Sequence, residues 1–98
     1  MKEITPQEVQ QLLADKQQMH LIDVRETDEV ESGKIPSITH IPLGLLEFKL
    51  QDLDKNTPYI MVCRSGGRSG RAVQILESHG YQATNMVGGM LAWDGPIE

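Results

Sequence analysis

Tyr59-Ile60-Met61-Val62-Cys63-Arg64-Ser65-Gly66-Gly67-Arg68-Ser69 passes from a continuous apolar run into a polar loop with two adjacent glycines and two arginines. Pro58 introduces the run and nothing polar interrupts it, which is the pattern of a strand buried on both faces. Beyond the loop, Ala72, Val73, Ile75, Leu76 and His79 recur at helical spacing, and Gly80 stands where a left-handed cap ends a helix. A strand, a glycine loop and a helix make the repeating unit of parallel α/β sheets, and ligands bind at the carboxyl ends of such strands.

Working outward, Ile4-Thr5-Pro6-Gln7-Glu8-Val9 reads as a helix start. Thr5 is the N-cap, Pro6 the first helical residue, and Glu8 closes a capping box, with Ile4 stapled against Val9. Val9, Leu12 and Leu13 then form the expected buried stripe. Residues 20–24 read as a short strand, 26–32 as an acidic helix ending at Gly33, and 39–41 as a second strand. Residues 43–50 read as a helix with Leu46 and Leu50 at i,i+4 spacing, 84–87 as a further strand, and 89–93 as a last short helix. Strands alternating with helices predict an α/β domain with a mostly parallel sheet covered on both faces.

With 98 residues, 39% of them hydrophobic, the chain is expected to form one domain, 1–98, around one modest core. No apolar run approaches the ~20 residues that cross a membrane. The first residues lack the apolar core of a secretory signal, so a cytoplasmic location is expected. A net charge of -5 argues against a nucleic-acid partner. Locally the balance reverses: Arg64, Arg68 and Arg71 follow Cys63 with no acid among them, a spot that attracts a small anion.

Cys63 is the only cysteine, which excludes an intrachain disulfide and any multi-cysteine metal site. His20, His40 and His79 lack ligand spacing, so no metal is expected either. By itself, a cysteine after an apolar strand is most often a small buried hydrophobe. The loop changes that reading. Gly66 and Gly67 allow the backbone to curl its N–H groups toward a common centre, and a helix beginning near Ser69 adds its positive end. Such a field holds an anion and equally favours thiolate over thiol at Cys63. Arg64 and Arg68 add fork-shaped donors for oxyanions. Arg71, one helical turn on, reads as a surface residue, while Asp23 and Arg25 either line the site or belong to a structural hydrogen-bond network. Trp93 reads as a packing residue.

Cys63 to Ser69 resembles the active-site loop of rhodanese domains. Asp23-Val24-Arg25-Glu26 with Gly33-Lys34-Ile35-Pro36 and Ile41-Pro42-Leu43 is similar to the family's first signature, and Val87-Gly88-Gly89-Met90-Leu91-Ala92-Trp93 with Gly95-Pro96 is similar to its second. Lys34, Ser37 and His40 depart from the family's usual histidine, glycine and asparagine, all outside the active loop. The resemblance implies a three-layer α/β/α sandwich around a five-stranded, mostly parallel sheet. It implies sulfur transfer by double displacement, with no cofactor: a Cys63 persulfide forms from a small anionic donor such as thiosulfate and passes its outer sulfur to cyanide in an assay. In a cell the acceptor is a thiol or a protein, and with no second cysteine in the chain it must come from outside. Cys63 carries over as nucleophile, Arg64 and Arg68 as donor-binding residues, and the N–H groups of Ser65, Gly66, Gly67, Arg68 and Ser69 as the cradle of the persulfide sulfur. The related cysteine phosphatases separate their cysteine and arginine by five residues. Here Arg68 comes one residue early, a shorter loop that fits sulfur better than phosphate.

Overall fold

Five strands form one sheet in the computed structural model, which describes residues 1–98. They are β1 (Glu3–Ile4), β2 (His20–Asp23), β3 (Thr39–His40), β4 (Pro58–Val62) and β5 (Gln82–Met86). Their order is β1-β5-β4-β2-β3, and every neighbouring pair is parallel. Asp23 pairs with Val62 and Met61 with Asn85, so the carboxyl ends of the three inner strands reach one edge together. Cys63 follows directly on that edge.

The strands alternate between two apolar layers, as the pleat requires. Ile22, Val24, Tyr59, Met61, Cys63 and Ala83 pack with Ala72, Val73 and Leu76 of a helix at Gly67–Ser78 and with Leu46. Leu21, Val62 and Met86 pack on the opposite face with Val9, Ile35 and Ile38. Val9 belongs to helix α1 (Pro6–Ala14), the short helix α2 is Thr27–Glu31, and Gly67–Ser78 is α3. No helix is long and apolar enough to cross a membrane.

The start of α1 follows its sequence: Thr5 Oγ1 accepts the Glu8 N–H at 3.1 Å while a Glu8 carboxylate oxygen accepts the Thr5 N–H at 3.0 Å. Ile4 packs into the same cluster as Val9. The expected stripe is narrower than Val9, Leu12 and Leu13. Only Pro6 and Val9 of α1 are buried, and Leu13, 36% exposed, borders a shallow groove with Gln10, Ala14 and Pro96.

Three further expectations are corrected. The helix expected at 43–50 is a 3₁₀ helix, Leu43–Asp52. Its three-residue repeat buries Leu46 and turns Leu45 and Phe48 outward together. The final helix is likewise 3₁₀, at Gly89–Ala92. Helix α3 begins at Gly67 rather than near Ser69, with Gly66 as a left-handed N-cap at φ 106°. That shift puts Arg68 and Ser69 inside the first turn. Strand β1 has no counterpart in the apolar pattern, since two residues are too few to show alternation; the fifth strand was implied by the resemblance alone.

Candidate active site

Cys63 lies at the floor of the loop, 1% exposed. The loop folds over its sulfur because Gly66 takes a conformation that residues with a side chain seldom adopt, and this aims the Gly66 N–H at Sγ from 3.0 Å. Ser69 Oγ is 3.3 Å from Sγ. Ser69 in turn donates to Asn85 Oδ1 at 2.5 Å, and Asn85 Nδ2 donates to the Gly66 carbonyl at 3.1 Å. The ring of contacts closes on the residue where it began. Burial pushes the Cys63 thiol up, but the Ser69 hydroxyl and the N–H groups of Ser69, Gly66 and Ser65 outweigh it and leave the thiol below its ordinary value.

The second glycine pair buttresses this loop from below. Gly88 and Gly89 are both left-handed, at φ 79° and 55°. Met90 N–H donates to the Cys63 carbonyl and Leu91 N–H to that of Arg64, each at 2.9 Å. A Cβ on Gly89 would stand 2.5 Å from the Cys63 oxygen and 2.6 Å from the Arg64 carbonyl carbon, inside any permitted contact. The motif at 87–93 is therefore a support for the cysteine loop.

The two loop arginines differ. Arg64 is exposed and makes no ion pair; it borders a cleft of about 270 Å³ with Arg25, Glu29, Ser32, Met90 and Leu91. Arg68 has both terminal nitrogens on the Glu29 carboxylate, at 2.6 and 2.8 Å. The pair holds Glu29 down at about 2, with help from the Glu26 N–H at 3.0 Å, and raises Arg68. Ser65 and Gly67 are exposed on the outer side of the loop, and Arg71 is exposed one turn into α3.

Asp23 and Arg25 form a buried ion pair at 2.7 Å, with Arg25 Nε within 3.0 Å of both carboxylate oxygens. Arg25 also donates to the carbonyls of Glu29, in the middle of α2, and Gly33, just past its C-terminal end, at 3.3 and 2.9 Å. His40 Nε2 meets the Arg25 carbonyl at 2.7 Å. Arg25 thus serves the structural network and forms one wall of the cleft. Sequence reasoning did not single out Glu29 or Asn85. A Glu29 partner 39 residues away leaves no local signal, whereas Asn85, a polar residue in a strand buried on both faces, offered one.

A buried thiol at the carboxyl end of a central parallel strand, cradled by a glycine loop leading into a helix, defines a cysteine-loop α/β protein. Residues 5–95 match the family model of the rhodanese-like domain, and the chain belongs to that family. It is 39% identical over 94 residues to a Bacillus subtilis (strain 168) protein provisionally named sulfurtransferase YtwF, covering 96% of this chain and 91% of that one. A protein of Allochromatium vinosum named sulfurtransferase is 34% identical over 92 residues, covering 93% and 86% of the two chains. The crystal structure of a rhodanese-like domain protein from Staphylococcus aureus superposes with a TM-score of 0.95 at 37% identity, covering 100% of this chain and 97% of that one.

Proposed function

We propose that the chain moves sulfane sulfur from thiosulfate or a related small anionic donor to an external thiol or sulfur-acceptor protein through a Cys63 persulfide. The observation that carries this reading is the Gly66 N–H set 3.0 Å from a buried Sγ whose thiol is lowered by the loop. In the first half-reaction the Cys63 thiolate attacks the sulfane sulfur. The new Sγ–S bond forms as the donor's S–S bond breaks, and sulfite leaves with the bonding electron pair. In the second, an acceptor thiolate or cyanide attacks the outer sulfur and Cys63 departs as thiolate, ready for another cycle. Loop N–H groups from Ser65 to Ser69 hold the negative outer sulfur, and Arg64 meets the donor at the mouth. Arg68, engaged by Glu29, adds a weaker field.

Hydrolysis of phosphate esters is disfavoured by the same geometry. Helix α3 starts only four residues past Cys63, and the Arg68 guanidinium is already forked onto the Glu29 carboxylate. The test is to load the protein with thiosulfate, remove the excess, and weigh it beside Cys63→Ser. Wild type should gain one sulfur, about 32 Da, and lose it to cyanide as thiocyanate appears. The absence of an adduct on wild type, or an equal adduct on Cys63→Ser, would overturn the reading.

A further inference from the structure

Arg25, Arg64 and Glu29 line the cleft beside the loop, and their charges do not contribute equally. Asp23 is paired with Arg25, and Glu29 is paired with Arg68, which leaves Arg64 as the one uncompensated charge on the cleft. Glu29 is not a side chain that an arriving anion would simply displace. Its carboxylate is fixed by the Glu26 N–H at 3.0 Å, and its carbonyl is held by Arg25. The cleft also has an apolar part: Met90 and Leu91 belong to its lining, and Leu91 is 65% exposed.

We propose that Glu29 is a specificity-determining residue that withholds the charge of Arg68 from the donor, so that the site favours monoanionic sulfane donors with an organic substituent over dianionic thiosulfate. The inference rests on the sulfur-transfer reading above. Attraction to a fixed charge scales with the charge of the ligand, so whatever Glu29 subtracts is subtracted twice over from a dianion, on a logarithmic scale, relative to a monoanion. The apolar part of the lining favours the same class, since an organic group buries surface there and an oxyanion does not. An aryl thiosulfonate meets both conditions. Cys63 thiolate attacks its sulfane sulfur, the Sγ–S bond forms, the S–SO₂ bond breaks, and the arenesulfinate leaves with the electron pair.

The test compares persulfide formation per molar of donor for thiosulfate and benzenethiosulfonate. Wild type, Glu29→Gln, Glu29→Asp and Leu91→Ser are each followed by intact mass at low and high salt. In Glu29→Gln the thiosulfate rate should rise about fivefold and the benzenethiosulfonate rate about twofold, as expected when one unit charge is removed a few ångströms from the ligand in a solvent-screened site. The gain should shrink at high salt. Glu29→Asp should keep the wild-type preference, and Leu91→Ser should slow benzenethiosulfonate alone. Equal changes for both donors in Glu29→Gln, matched by Glu29→Asp, would mean that Glu29 only props α2 and would overturn the inference while persulfide formation itself still stood. Absence of an adduct from either donor on wild type would overturn the sulfur-transfer reading and this inference together.

Discussion

Ser69 and Asn85 face each other with 2.5 Å between Oγ and Oδ1, and the orientation of the amide is not free. Its nitrogen is committed to the Gly66 carbonyl, which can only accept, so the amide oxygen must be the atom that meets Ser69. A serine hydroxyl has one hydrogen. With Cys63 protonated, the thiol can donate to Ser69 Oγ while Ser69 donates to Asn85; with Cys63 ionised, the sulfur competes with Asn85 for that hydrogen. Ser69→Ala removes the side-chain donor, so the Cys63 thiol should move up and alkylation by iodoacetamide at neutral pH should slow on the order of tenfold, the worth of a hydrogen bond to a charged group. An unchanged rate-against-pH curve would show that Ser69 only fills space.

Asn85→Asp tests the same contact with the opposite electrostatics. The carboxylate cannot donate to the Gly66 carbonyl, and it puts a negative charge on the far side of Ser69 from the sulfur. The Cys63 thiol should again move up, by more than in Ser69→Ala, read from thiolate absorbance against pH.

Gly89→Ala should be among the most damaging single substitutions. The added methyl meets the Cys63 carbonyl oxygen at 2.5 Å and the backbone is left-handed there, so the loop must shift or the chain lose roughly 3 kcal/mol. Urea unfolding measures the loss, and the rate of persulfide formation should fall with it.

Arg25→Lys retains the charge and loses the fork. A lysine cannot make all three side-chain contacts to Asp23 and also reach the Glu29 and Gly33 carbonyls, and Asp23, 0% exposed, keeps an incomplete partner. A destabilisation of about 2 kcal/mol is expected from the buried hydrogen bonds left unmade, seen as a lowered Tm. Hydrogen exchange should rise first in α2.

The Glu29 carboxyl, held at about 2 by Arg68, makes stability depend on pH in a defined window. Its folded value lies below its unfolded one, so the contribution is complete above about pH 4.5 and is lost as pH falls toward 2. Partial exposure reduces it to on the order of 1 kcal/mol. Urea unfolding of wild type and Glu29→Gln should differ most at pH 5 and above, and converge toward pH 2.

Much of this architecture is written in local pattern. The run Tyr59 to Val62 and the capping box at Thr5 and Glu8 are visible because the residues that define them are neighbours in the chain. Strand β1 is not, because two residues pair with a strand some 80 positions on and carry no pattern of their own. The helix at Leu43–Asp52 misled for another reason: Leu46 and Leu50 stand at the i,i+4 spacing of an α-helix, while Leu43 and Leu46 fit the three-residue repeat that the chain adopts. The start of α3 was hidden by Gly67, a poor helix former that sequence reading leaves in the loop. The cysteine loop was legible as chemistry. Its electrostatic setting was not, since Glu29 and Asn85 reach it only through the folded sheet and the clamp on α2.

The burial of Sγ also bears on what the molecule avoids. A free cysteine in a thiol-rich solution is prone to dead-end mixed disulfides, and this one is closed off to within 1% of its surface. A persulfide places its outer sulfur one bond farther, about 2 Å from Sγ. In the proposed cycle, an acceptor too bulky to touch the cysteine would therefore still meet the outer sulfur, and the loop would distinguish an empty Cys63 from a loaded one by reach.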